Sequence, residues 1–158
     1  MDYYLHPDAK IALRPAVTEN AWCVHTGNPI QSGKPAVVVW SPGEWDDTRY
    51  ISIGAVEGLI GHLEKTIDGN VNVNCGVAND SKIKFARISE EVTCLVCQKS
   101  VESNTVALSF YTPEAEAHKG RGIHRPSPLR CHQSCIPAVV NGLQGVWSYT
   151  DELLGRVA

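Results

Sequence analysis

Two pairs of metal-ligand residues, Cys94-Leu95-Val96-Cys97 and His132-Gln133-Ser134-Cys135, stand far apart in the chain with the same internal spacing. A C-x-x-C turn aims two sulfurs at one point, and a distant second pair completes the tetrahedron that zinc prefers. Four protein donors leave no open coordination position. The pattern therefore points to one structural zinc ion and away from metal catalysis. Cys131 adjoins His132 and stands four residues before Cys135, so it is an alternative to His132 as the fourth ligand.

The compartment decides how six cysteines are read. No apolar run is long enough to span a bilayer, and Met1-Asp2-Tyr3-Tyr4-Leu5-His6-Pro7 does not resemble a signal peptide. The expectation is a cytoplasmic protein with no membrane association. In a reducing compartment cysteines serve as metal ligands or buried thiols, whereas three disulfides would be the reading for a secreted chain. A chain of 158 residues suffices for one ordinary domain or two small ones.

Charge is divided unevenly. Residues 1–80 hold five Lys/Arg against ten Asp/Glu, and residues 81–158 hold nine against seven. A net −5 followed by a net +2 suggests two units with different surfaces.

The two halves also resemble each other. A shift of 71 residues sets Cys23 over Cys94, Ile30 over Val101, Ser32 over Ser103 and Gly33 over Asn104. Beyond that turn, Ala36-Val37-Val38-Val39-Trp40 parallels Val106-Ala107-Leu108-Ser109-Phe110. Each copy reads as a ligand turn followed by a β-hairpin. A shift of 84 then sets Glu57-Gly58-Leu59-Ile60-Gly61 over Asn141-Gly142-Leu143-Gln144-Gly145, placing Thr48 opposite His132 and Ile51 opposite Cys135. Ile53, Val56, Leu59, Ile60, Leu63 and Ile67 have helical spacing, with Asp68-Gly69-Asn70 as a stop. In the second copy a helix beginning near Ser134 would bury Ile136, Val139, Val140 and Leu143, and Pro137 suits its first turn. This divides the chain into residues 1–70, a linking segment 71–90 that contains strand-like stretches, and residues 91–158.

A C-x-x-C knuckle, a hairpin and a helix whose first turn supplies two more ligands resembles the treble-clef zinc finger. The resemblance covers 94 to about 145. It implies an α+β fold of two tandem treble-clef-like units, the second holding zinc through Cys94, Cys97, His132 and Cys135. The H-x-x-C spacing of the resemblance favours His132 over Cys131. The first copy lacks the pattern at three of four positions, where Thr26, Thr48 and Ile51 stand, so it is expected to hold no metal. A competing reading assembles a second site from Cys23, His25, His62 and Cys75, whose donor types suit zinc.

Function is less constrained, because this fold serves many unrelated tasks. The chain has no G-x-S-x-G, no P-loop, no H-E-x-x-H, and neither element of a zinc deaminase. An HNH-type nuclease also uses a treble clef, but its helix would carry a second His after Asn141, and none is there. The expectation is a non-enzymatic zinc-binding interaction module, an adaptor or regulator. Trp40 and Trp45, on an acidic stretch, are candidate protein-binding residues, since Trp is enriched at interface hot spots. Nucleic acid is the alternative partner, through Lys119, Arg121, Arg125 and Arg130 in a Gly/Pro-containing loop over 118–130.

Overall fold

A computed structural model describes residues 4–6, 10–18, 20–41, 44–67, 71–78, 81–111 and 128–153. The fold is mixed, with several small antiparallel sheets and, among the described residues, two α-helices.

Alternating and β-branched stretches form the larger sheet. Strands β1 (Tyr4–His6), β2 (Ile11–Arg14), β5 (Ala36–Ser41) and β6 (Glu44–Ser52) pair antiparallel in the order β1-β2-β5-β6. Between β2 and β5 lies a short ribbon, β3 (Ala21–Trp22) with β4 (Pro29–Ile30). A 3-10 turn over Ile53–Ala55 leads into α1 (Val56–Glu64), which buries Val56, Leu59, Ile60 and Leu63. Ile67, which the helical spacing includes, lies past the helix and is 45% exposed.

The second half has a similar order of elements with fewer strands. Strand β7 (Ile83–Arg87) pairs with β10 (Val106–Phe110), and β10 with β11 (Leu129–Cys131). The ribbon here is β8 (Val92–Thr93) with β9 (Ser100–Val101). A 3-10 turn over Gln133–Cys135 then leads into α2 (Ile136–Leu153), which buries Ile136, Val139, Val140 and Leu143 as its periodicity requires. Pro137 sits in the first turn, where its missing N–H costs no intrahelical bond.

Backbone hydrogen bonds recur at the 71-residue spacing. Cys23 N–H donates to Asn28 O at 2.8 Å, and Cys94 N–H to Lys99 O at 2.9 Å. Gly27 N–H reaches Cys23 O at 2.8 Å, and Gln98 N–H reaches Cys94 O at 3.0 Å. Val17 and Gly33–Lys34 exchange the same pair of bonds as Ile88 and Asn104–Thr105. Both knuckles need a left-handed residue after the fourth position, met by Gly27 (φ 79°) and by Gln98 (φ 62°). The hairpin turns need another, met by Gly33 (φ 89°) and Asn104 (φ 67°).

The helices follow a different offset from the one their sequences suggest. The two 3-10 turns begin after Ser52 and His132, whose backbones match (φ −60°, ψ 141° and φ −60°, ψ 148°). That offset is 80 residues, so Ser52 and Ala55, not Thr48 and Ile51, stand opposite His132 and Cys135. The Gly-Leu match at 84 residues was misleading because a helical face tolerates a one-turn slip, whereas strand register does not. Ile51 instead corresponds to Cys131: Ile51 pairs with Val37 and Cys131 with Leu108, two inner-strand residues 71 apart.

The halves meet. Helix α2 packs on α1, β1 and β2, and buried side chains from both halves join one apolar cluster. Strand β7, assigned from sequence to the linking segment, is bonded into the second sheet. Within that segment Val73 bridges Phe85, but Val71 and Cys75 form no strand with it.

Candidate metal centre

The knuckle between β8 and β9 and the first turn before α2 bring Cys94, Cys97, His132 and Cys135 together. Their four ligand atoms all lie within 4.8 Å of one another, and these residues can hold a metal ion. Among the described residues this is the only such group of three or more. Cys94 and Cys135 sulfurs are 3.8 Å apart, and His132 Nδ1 lies 3.4 Å from Cys97 Sγ and 3.9 Å from Cys135 Sγ. These are three of the six distances among the four ligand atoms.

The imidazole is oriented from behind. His132 Nε2 lies 2.8 Å from Ser100 O, a carbonyl that can only accept. The proton therefore sits on Nε2, and the Nδ1 lone pair faces the three sulfurs. An outer carbonyl that sets the tautomer in this way is what metal-ligating histidines ordinarily have. Val96 N–H also points at Cys94 Sγ at 3.4 Å.

Acidities within the group diverge. Burial acts to raise the Cys97 thiol, but the Lys99 backbone and the neighbouring Cys94, Cys135 and His132 outweigh it and bring it down to about 7. Burial, then the charge of Cys94, pushes Cys135 up to about 12. Three sulfurs so close cannot all ionise unaided, and a cation at their centre reverses that penalty by deprotonating each ligand.

Cys131 is not part of the group. Its strand register turns it into the core opposite Leu108, where it is fully buried and its thiol donates to His132 O at 3.4 Å. Burial, with the charges of Cys94, Cys135 and Cys97, pushes its acidity well above the ordinary thiol value. Cys131 is thus a core residue at the end of β11, and His132 follows just past that strand.

The first knuckle arranges its thiol differently. Cys23 Sγ is fully buried and accepts N–H bonds from Thr26 at 3.4 Å and from Ser52 at 3.3 Å. These donors occupy the places of Cys97 and His132. Burial acts to raise Cys23, yet the bonds from Ser52 and Thr26 leave it below the ordinary thiol range. Of the proposed set Cys23, His25, His62 and Cys75, the structure takes Cys23 into the core and sets the His25 and His62 rings 5.8 Å apart.

The partner-binding candidates are placed as follows. Trp40 lies in β5 and Trp45 in β6; both side chains fall outside the described residues. Lys119, Arg121 and Arg125 also fall outside them. Arg130 is on β11, where its Nη1 donates to Ser109 Oγ at 2.6 Å and Tyr111 Oη at 3.2 Å, and its guanidinium lies over the Tyr111 ring. Lys84 Nζ lies over the same ring, 5.7 Å from its centre. Beside His132, an open depression of about 350 Å³ is lined by Ser100, Glu102, Thr105, Gln133 and Ser134 among others. Sequence alone offered no signal for it, because it exists only where the hairpin meets the helix start. Among the described residues no helix is long and apolar enough to cross a membrane. Comparison with protein-family models, with curated proteins and with solved structures finds no match to this chain.

Proposed function

We propose that this chain is a non-enzymatic zinc-binding interaction module, built as two tandem treble-clef-like units of which the first has lost its metal. The observation that carries the reading is the closed tetrahedral set of Cys94, Cys97, Cys135 and His132 Nδ1. A tetrahedral zinc with bonds of about 2.3 Å to sulfur and about 2.0–2.1 Å to nitrogen separates two sulfurs by about 3.8 Å, and sulfur from nitrogen by about 3.6 Å. The distances of 3.8, 3.4 and 3.9 Å fit that ion. Three soft thiolates and one imidazole also favour zinc over the hard cations. The matched hydrogen bonds and matched left-handed residues of the two knuckles support the tandem reading.

A shell filled by four protein donors has no position for substrate or water. Its task is to clamp the β9–β10 hairpin to the start of α2. The depression beside His132 is a product of that clamp and suits a polar peptide segment. A protein partner is therefore the function we assign, with cytoplasmic residence as the setting that keeps the thiols reduced. The test is twofold. Elemental analysis of the purified chain should find zinc at this site, and its absence would end the reading. Partner capture from the native host should persist as salt rises, whereas phosphate-directed binding to nucleic acid would weaken steeply.

A further inference from the structure

His25 on the first knuckle, His62 on α1 and Cys75 in the segment before β7 are far apart in sequence, yet the two histidine rings are neighbours and His62 shares a crevice with Cys75. His25 is 8% exposed, and its Nδ1 lies 3.0 Å from Ser81 Oγ. Ser81 Oγ also accepts the Ile83 N–H at 3.1 Å. Its second lone pair can take a proton from Nδ1, and that tautomer leaves the Nε2 lone pair available. His62 faces this ring, with centroids 5.8 Å apart and planes tilted by 52°. Two imidazoles bound to one tetrahedral ion at about 2.0–2.1 Å place their centroids about 5–6 Å apart. The pair already has that separation.

The third donor stands on the His62 side of this pair. His62 and Cys75 line one crevice of about 150 Å³, together with Thr66, Asn72 and Lys65. The Cys75 backbone is pinned on both sides: Asn74 N–H bonds to Phe85 O, and Gly76 bridges Lys84. A Cβ at Gly76 would meet Ala78 O at 2.7 Å and Ser81 O at 2.8 Å, so this close turn requires glycine. The Cys75 side chain is exposed. The three ligand atoms are not all within 4.8 Å of one another, so a bound ion would have to draw Cys75 toward the two rings.

We propose that His25, His62 and Cys75 form a second metal site, for a borderline divalent cation such as zinc, separate from the Cys94 cluster. Two imidazoles and one thiolate suit that class of ion, and the fourth position is left to water. The site fastens the first knuckle to α1 and to the segment that enters the second half. With Nδ1 donating to it, Ser81 Oγ is the outer group that orients the His25 ring. Lys65 also borders the crevice, and its exposed ammonium opposes a cation there.

The test is zinc uptake by the full-length chain, measured by equilibrium dialysis and calorimetry. Wild type should take up one equivalent more than the variant His25→Gln/His62→Gln, whatever is bound at the Cys94 cluster. Equal uptake would overturn the site. Should the double variant fail to fold, His62→Gln alone should weaken the additional equivalent at least about tenfold, the scale on which metal-site contacts act. Unchanged affinity would overturn the site equally. Cys75→Ser, at an exposed position, should also weaken it, and no change would overturn the three-donor set. Lys65→Gln should tighten it severalfold, and weaker binding would contradict the crevice as its location. Zinc addition should shift the ring resonances of His25 and His62 together; movement of neither would overturn the proposal.

Discussion

The two knuckles share a backbone and differ in what stands at its centre. Around Cys94 three further side chains converge on a point that suits a cation. Around Cys23 the corresponding places hold Thr26, Ser52 and Ala55, and the thiol itself accepts two backbone N–H groups. The main-chain bonds are nearly the same length in both. The comparison teaches that a knuckle's path does not depend on metal. One sulfur, bonded to the backbone of the turn and of the helix start, can hold the same three segments together when an apolar core supports them. That core is present: Val24, Ile51, Val56 and Leu59 are fully buried around the first knuckle.

The difference can be broken from the metal side first. Cys94→Ser removes a buried ligand. Structural zinc sites in small fingers contribute about 10–16 kcal/mol of apparent binding energy, a range that meets or exceeds the about 5–15 kcal/mol stability of a whole domain. The expected outcome is loss of the metal and unfolding of the second half. Because α2 lies on β1, β2 and α1, the first half should lose stability in the same transition. Circular dichroism and tryptophan fluorescence followed during thermal unfolding check this; a first half that melts separately and unchanged would show the units to be independent.

The converse experiment adds ligands to the first knuckle. Thr26→Cys, Ser52→His and Ala55→Cys together place the second half's donors on the matching backbone positions beside Cys23. Made alongside His25→Gln and His62→Gln, this variant should gain one tightly bound cobalt with the visible absorption of a tetrahedral thiolate site. No gain would mean that the matched backbone does not extend to matched side-chain directions.

A smaller effect is expected from Cys23→Ala. It leaves the Thr26 and Ser52 N–H groups without their buried acceptor, a cost of about 1–3 kcal/mol. Metal content should not change. Urea unfolding with parallel metal analysis separates the two readouts, and loss of metal would show that the knuckles are coupled through the core.

The smallest effect should come from Cys131→Val. Ile51 shows that a branched apolar side chain is accommodated at the equivalent strand position. The substitution should cost less than about 1.5 kcal/mol and leave metal stoichiometry unchanged. Metal loss would restore Cys131 as a ligand.

Much of the metal centre was legible in the chain. The C-x-x-C and H-x-x-C spacings named four ligands, and those four are the ones that meet. The hairpin turns were partly readable too, because turn chemistry is local: Gly33 and Asn104 are residue types that left-handed positions favour, whereas Gln98 is not. The helix offset was not, because Leu and Gly recur on any amphipathic helix and several slips preserve the apolar face. Only the pairing of β6 with β5 and of β11 with β10 distinguishes them. The same pairing separates Cys131 from His132. Cys131 ends β11 with its side chain in the core, and His132 follows just past the strand, in keeping with the H-x-x-C spacing.

Sequence by itself determined which atoms can meet a soft cation, where each knuckle turns, and which helix faces are apolar, since all three follow from side-chain chemistry over a few residues. Tertiary structure alone decided that Ser52 stands where His132 does, that α2 spans onto the first sheet, and that His25 faces His62 beside Cys75. These depend on strand register and on one shared core, and burial of apolar surface is non-directional: it says that segments pack, while the register of hydrogen bonds says where.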